Sequence, residues 1–254
     1  MTNVISGKWK TALRVIRDQG AAGFSARAKE NIAMWRHRKG NCALLEGCLF
    51  ELEGLDPGIV RLILLGEYEY SERAAVRAFL DPAVPVIELG ACMGVVSCVV
   101  NPMLKNPDRH VAVEANPRMV ERLRRNIQRN GSRFSVIDRA IAYDDGPFYV
   151  SDNVLASGMK TNGSPIAVAK TNIREIAERL GFAEFTLICD VEGTEVEIVE
   201  QEGELLSQRC RLFILETHEI EIGEAPIQRM CERLEALGFR LARRIGHTSV
   251  YKRS

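Results

Sequence analysis

No apolar run in this 254-residue chain reaches the roughly 18 residues that a membrane-spanning helix needs. The longest candidate, Ala91 to Leu104, is broken by Ser97, Asn101 and Pro102. Residues 1–20 lack the apolar stretch of a secretory leader, so none is expected. No C-x-x-C pair occurs among the seven cysteines, Cys42, Cys48, Cys92, Cys98, Cys189, Cys210 and Cys231, and their number is odd. This argues against a zinc or disulfide framework and for small buried thiols in a reducing, cytoplasmic compartment. Net charge is also absent, since 34 Lys and Arg balance 34 Asp and Glu. A basic coat over the whole surface is therefore missing, and no nucleic-acid partner is expected. Internal repeats and low-complexity tracts are absent too. With 46% hydrophobic and 27% charged residues, neither disorder nor a rod can dominate.

Charge that cancels overall does not cancel locally. Residues 1–40 hold nine basic side chains, Lys8, Lys10, Arg14, Arg17, Arg27, Lys29, Arg36, Arg38 and Lys39, against Asp18 and Glu30. Ile5, Trp9, Leu13 and Ile16 fall at helical spacing, so the basic groups largely decorate the other face. Such a helix either packs by its apolar stripe or faces an anionic substrate or surface.

Beyond this segment the pattern alternates. Short apolar runs at Val84–Leu89, His110–Glu114, Phe134–Ile137, Phe185–Cys189 and Leu212–Leu215 read as buried strands. A helix is predicted from Pro117, capped by Asn116 and stopped by Gly131. Asn172 and Glu175 resemble a capping box for a helix through Leu180. Pro226–Leu237 reads as a further helix, and Phe239–Arg243 with Thr248–Tyr251 as a closing antiparallel pair. Strands separated by helices imply a mostly parallel sheet covered on both faces. The expected organisation is an N-terminal helical extension over residues 1–80 and one α/β domain over 81–254. Ser71–Leu80 is expected to be the helix leading into the first strand.

Two segments carry chemistry at strand ends. The first is Val86-Ile87-Glu88-Leu89-Gly90-Ala91-Cys92-Met93-Gly94. Its glycines let the strand-to-helix turn approach a ligand closely. Glu114, about 20 residues on at the next strand's end, is placed to accept both hydroxyls of a ribose. Cys92 stands where a dinucleotide loop has its middle glycine, which disfavours a nicotinamide oxidoreductase. Glu88, two residues before the first glycine, suits a cofactor with a cationic aminoacyl end, such as S-adenosylmethionine. The second segment is Cys189-Asp190-Val191-Glu192-Gly193-Thr194-Glu195. Glu192 and Glu195 are adequately explained as acids at a helix N-terminus, whereas Asp190 is not. If the first and fourth strands are neighbours, Asp190 faces the same cleft as Gly90. Glu216-Thr217-His218 follows the fifth strand and brings one of only four histidines to that cleft.

From Gly66 to Tyr251 the chain resembles the FkbM-type family of class I S-adenosylmethionine-dependent methyltransferases. The resemblance is carried by Gly66-Glu67-Tyr68-Glu69, by Glu88 to Gly94 and by Glu114-Ala115-Asn116-Pro117. Arg139-Ala140-Ile141, Asp190 to Glu195 and Glu216-Thr217-His218 also carry it. The family usually has Asp at the position of Glu88 and often Asn at that of Cys92. The resemblance implies a Rossmann-like, seven-stranded, mostly parallel sheet with an antiparallel last strand. It implies S-adenosylmethionine as cofactor, S-adenosylhomocysteine as product, and a small-molecule or glycan hydroxyl as acceptor. By the same resemblance Glu88, Gly90, Ala91 and Gly94 surround the methionine end, and Glu114 and Ala115 the ribose. Asp138 and Ala140 flank the adenine, and Tyr68 closes the cleft. Asp190, His218 and Glu192 are the catalytic candidates. On ordinary pKa values, near 6.5 for histidine and 3.9 for aspartate, His218 suits the base. Asp190 then orients the acceptor or holds a divalent metal, a role the sequence leaves open. A nucleoside-binding scaffold without turnover and an RNA methyltransferase using residues 1–40 are the alternatives.

Overall fold

The computed structural model describes residues 28, 31–32, 34–150 and 166–253. The apolar stripe of Ile5, Trp9, Leu13 and Ile16 lies outside them. Contacts divide the chain into two units, residues 1–68 and 69–254.

The smaller unit contains strands where helix alone was expected. β1 (Arg38–Lys39), β2 (Cys42–Leu45) and β3 (Cys48–Glu51) form an antiparallel sheet in that order. The turn between β2 and β3 is Glu46-Gly47, both with positive φ (53° and 87°), the geometry whose twist suits a two-residue hairpin. Ala43, Leu45 and Phe50 are buried. Helix α1 (Pro57–Leu65) follows. Asp56 caps it by accepting the Gly58 N–H at 2.7 Å, and Gly66 ends it in the left-handed region.

The larger unit begins with α2 (Tyr70–Phe79), one residue off the predicted Ser71–Leu80. This helix packs against the main sheet, which places it in the larger unit. Then come β4 (Val86–Leu89), α3 (Val95–Val100), β5 (His110–Glu114), α4 (Pro117–Asn130), β6 (Ser135–Asp138) and β7 (Ala140–Ile141). β8 (Phe148–Val150) and β9 (Ile166–Val168) pair with each other, and β10 (Lys170–Thr171) pairs with β7. The remainder is α5 (Ile173–Arg179), β11 (Phe185–Cys189), α6 (Glu195–Arg209), β12 (Cys210–Glu216), α7 (Glu219–Ile222), α8 (Glu224–Ala236), β13 (Phe239–Ile245) and β14 (Thr248–Arg253).

Seven strands form the main sheet in the order β13-β14-β12-β11-β4-β5-β6. All run parallel except β14, which is antiparallel to both β12 and β13. The Rossmann-like α/β architecture with an antiparallel last strand is thus present. Side chains alternate across the sheet, and the two faces bury different sets. Ile87, Leu89, Leu187, Phe213 and Tyr251 meet α5, α6 and α8 on one side. Val86, Ile188, Ile214 and Val250 meet Ala75, Val76, Val96 and Val100 of α2 and α3 on the other. With both faces covered, β4 and β11 are apolar throughout except at Glu88 and Thr186. The predicted caps recur. The Asn116 side chain accepts the Arg118 N–H at 3.0 Å and that of Asn172 accepts the Glu175 N–H at 2.8 Å. No helix among the described residues is long and apolar enough to cross a membrane. All seven cysteines are free thiols.

Candidate active site

β4 and β11 are hydrogen-bonded neighbours, so the glycine loop and Asp190 emerge side by side at the strands' carboxyl ends. The Asp190 N–H donates to Leu89 O at 3.0 Å. Gly90 has φ 78°, and a Cβ there would sit 1.7 Å from the Asp190 carbonyl oxygen. Glycine is therefore required by both conformation and space. The loop turns back on β5, with the amides of Gly90 and Ala91 both donating to Val113 O at 3.0 Å. Gly94, φ 82°, starts α3 and lies against Leu123 of α4.

Glu114 ends β5 and is buried. One of its oxygens accepts the Cys92 N–H and the other the Asn116 N–H, each at 2.7 Å. Burial raises its pKa, and these backbone bonds, with one from Ala115, pull it back. The carboxylate thus clamps the glycine loop to the end of β5. Cys92 occupies the missing-glycine position with φ 48°, a left-handed conformation seldom adopted by residues with a Cβ.

The other cofactor candidates separate. Asp138 ends β6 opposite Glu114 in register, exposed and 3.8 Å from Arg124. Ala140 is buried in β7. The carboxylate of Glu88 lies within the sheet, 3.1 Å from His110 Nε2, with both residues buried. His110 in turn stacks on Phe134 at 4.8 Å between ring centroids. The contact that the structure shows for Glu88 is therefore a buried pair across β4 and β5. Tyr68 belongs to the smaller unit, where its amide donates to Leu62 O behind α1.

A second group gathers beyond β11 and β12. These strands are parallel neighbours with Cys189 opposite Leu215, so Asp190 and Glu216 follow side by side. His218, two residues beyond Glu216, returns with Nε2 3.5 Å from Asp190 Oδ1. Its Nδ1 is hydrogen-bonded to Glu195, the first residue of α6 and fully buried. The second Glu195 oxygen accepts the Gly193 N–H at 3.0 Å. Glu216 shares a hydrogen bond with Glu72 of α2, and Glu72 accepts the Thr248 hydroxyl from β14. Asp190, Glu216 and His218 each offer a ligand atom within 4.8 Å of the others. Among the described residues no other group of three or more has this geometry.

The electrostatics follow from this crowding. Burial lifts Asp190 to about 7, with Glu72, Glu192 and Glu195 adding to the rise and His218 opposing it. Burial also lifts Glu216 to about 8, aided by Asp190 and Glu72. For His218 burial acts downward. The hydrogen bond and charge of Glu195, then Asp190 and Glu192, overcome it and carry the ring to about 9. The ordinary pKa of histidine therefore does not describe His218 here.

Glu72 and Glu195 were not singled out as partners in this site from sequence. A signal exists for both. Glu72 is in helical register with the buried Ala75 and Val76, and Glu195 with the buried Ile198 and Val199. Each is an acid on the inward stripe of its helix, where an acid needs a partner.

No curated protein sequence matches the chain. Solved structures with distant likeness include a protein of the NADB-Rossmann superfamily from Streptococcus agalactiae, 12% identical with TM-score 0.46. The likeness covers 72% of this chain and 68% of that one. A precorrin-6y C5,15-methyltransferase from Geobacter metallireducens is 13% identical over 76% of this chain and 91% of its own, TM-score 0.45. Aeropyrum pernix fibrillarin, crystallised with natively bound S-adenosyl-L-methionine, is 14% identical over 72% and 76%, TM-score 0.45. The family model of the methyltransferase FkbM domain matches residues 88–241, more than half the chain, and spans the glycine loop, Glu114, Asp190 and His218. The chain belongs to the FkbM methyltransferase domain family.

Proposed function

We propose that the protein transfers a methyl group from S-adenosylmethionine to a hydroxyl of a sugar, glycan or secondary metabolite. The observation that carries this reading is the Glu114 clamp on the glycine loop, set beside Asp190 at the meeting of β4 and β11. The residues present fit the cofactor. Each Glu114 oxygen holds one N–H donor and keeps a further lone pair for a ribose hydroxyl. The glycines keep the loop free of side chains where it approaches a ligand. Ala91 and Ala115 belong to the same cradle, and Asp138 and Ala140 lie beyond Glu114 for the adenine. Glu88 supports the cradle from within the sheet through His110.

The cofactor supplies an activated sulfonium methyl, so the protein's task is alignment and proton removal. Asp190, flanked by Glu192, orients the acceptor hydroxyl at the carboxyl end of β11. When bound, the sulfonium would give its methyl to the acceptor oxygen and leave as a thioether, and the hydroxyl proton would pass to the Asp190, Glu216 and His218 cluster. Asp190, Glu216 and His218 interact strongly enough to titrate together, so proton removal is assigned to the cluster and not to His218 alone. Free cysteines throughout suit a reducing compartment such as the cytoplasm. The test is calorimetric titration with S-adenosylmethionine and S-adenosylhomocysteine. Micromolar binding that Glu114→Ala weakens is the expected result, and absence of binding by either ligand overturns the reading.

A further inference from the structure

Asp190 and Glu216 are not neighbours by accident of loop conformation. The β11–β12 backbone ladder sets Cys189 against Leu215, and the two carboxylates are the next residues on adjacent strands. Parallel strands lie about 4.8 Å apart, so both acids leave the sheet together. His218 completes the set from the turn after β12, and the three donor atoms lie within 4.8 Å of one another. The three are close enough to be drawn around one ion.

Two of the three donors have support from other elements. Glu195, at the start of α6, holds His218 Nδ1 and leaves Nε2 turned toward Asp190. An outer carboxylate that fixes the tautomer and orientation of a ligating imidazole is a recurrent feature of metal sites. Glu72 from α2 and Thr248 from β14 stand behind Glu216. Charge points the same way. Asp190, Glu216, Glu72, Glu192 and Glu195 converge on a space where His218 is the basic group.

We propose that Asp190, Glu216 and His218 bind one divalent transition-metal cation, with Mn²⁺ and Co²⁺ preferred over Mg²⁺ and Ca²⁺. Two carboxylate oxygens and one imidazole nitrogen favour such ions, because Mg²⁺ and Ca²⁺ favour all-oxygen surroundings. Three protein donors leave coordination positions open for oxygens of the acceptor. A cation here makes a hydroxyl brought to it more acidic, which is the task left to the cluster above. The inference deepens the methyltransferase reading and rests on it for that role, but the site itself is defined by the protein's own residues.

The experiment is titration of the full-length protein with Mn²⁺ alone, followed by loss of the free-ion paramagnetic resonance signal. One ion per chain is expected. Asp190→Asn, Glu216→Gln and His218→Gln should each weaken it tenfold or more, and Glu195→Gln by a similar factor through the ring it holds. Glu184→Gln, an exposed acid at the far end of β11, should leave affinity unchanged. Thermal unfolding of each variant shows whether it is folded, and any one folded triad variant suffices for the comparison. No saturable Mn²⁺ binding, or binding that folded triad variants leave intact, overturns the proposal. Tighter binding of Mg²⁺ than of Mn²⁺ overturns the donor argument. A parallel titration with S-adenosylmethionine separates the two readings. Cofactor binding without Mn²⁺ binding refutes the cation alone, and Mn²⁺ binding without cofactor binding refutes the methyltransferase reading alone.

Discussion

Three glycines with positive φ offer a graded test of how closely the sheet is built around its ligand loop. A Cβ at position 131 meets nothing within 4 Å, so Gly131→Ala adds only the strain of φ 61°. A left-handed residue with a Cβ costs about 1–2 kcal/mol. At position 94 the same strain is joined by a contact of 2.3 Å to Leu123 Cδ1. That atom is the tip of a side chain, and turning it off its rotamer adds about 1 kcal/mol. At position 90 the Cβ lies 1.7 Å from the carbonyl oxygen of Asp190 and 2.7 Å from its carbon. Backbone must retreat there, and the bond from Asp190 N–H to Leu89 O, 3.0 Å long, is the first to be lost. A buried donor and acceptor left unmet cost about 1–3 kcal/mol, which brings Gly90→Ala to about 2–5 kcal/mol. At about 2–4 °C per kcal/mol for a unit of this size, melting should fall by about 4–20 °C. Urea and thermal unfolding by circular dichroism should rank the three Gly90, Gly94, Gly131 from worst to mildest. A Gly90→Ala protein as stable as Gly131→Ala would refute the close approach of β4 and β11.

The other predictions concern the site and the thiols. Glu114→Ala should weaken S-adenosylmethionine binding by about ten- to hundredfold, or about 1.5–3 kcal/mol, while Glu114→Gln, which keeps one acceptor oxygen, falls between; an unchanged calorimetric dissociation constant removes Glu114 from the cradle. Asp190→Asn and His218→Gln should each lower release of S-adenosylhomocysteine at saturating cofactor by tenfold or more. Full turnover in both variants dismisses the cluster as the seat of proton removal. The Cys210 thiol is pushed up to about 12 by burial, so only about one in ten thousand is thiolate at pH 8. Alkylation followed by mass spectrometry should find Cys210 unmodified in the folded protein and modified in urea; rapid labelling under native conditions contradicts its burial.

Much of the fold could be read from local chemistry. Asn116, Pro117 and Gly131 mark both ends of α4 because cap, fixed φ and left-handed stop each act within a few residues. The main strands were legible because burial on both faces makes them continuously apolar. β1 to β3 were not, since strands of two to four residues are too short to show a period. The site was legible as separate pieces. Asp190 and His218 were visible as motif residues, but their approach depends on β11 lying beside β12, which is tertiary. Glu195 had a sufficient local explanation at a helix N-terminus, and this hid its buried contact with His218. Glu88 shows the opposite case. Its position before the glycines suggested a ligand contact, while the pleat turns its carboxylate to His110.

The antiparallel β14 lies between β12 and β13 and brings Thr248 to Glu72. During synthesis a ribosome supplies Glu72, Asp190, Glu216 and His218 well before this strand. Until β14 slides into place, β12 has an unpaired edge and the carboxylates behind the site lack a hydroxyl donor. Chains emerge amino end first and fold as they do so. The glycine loop on β4 and β5 can therefore form early, while the carboxylates around Glu72 wait for a strand translated later. A chain cut before β14 then keeps the glycine loop but not the hydroxyl that Glu72 accepts, so its defect is built into the order of translation.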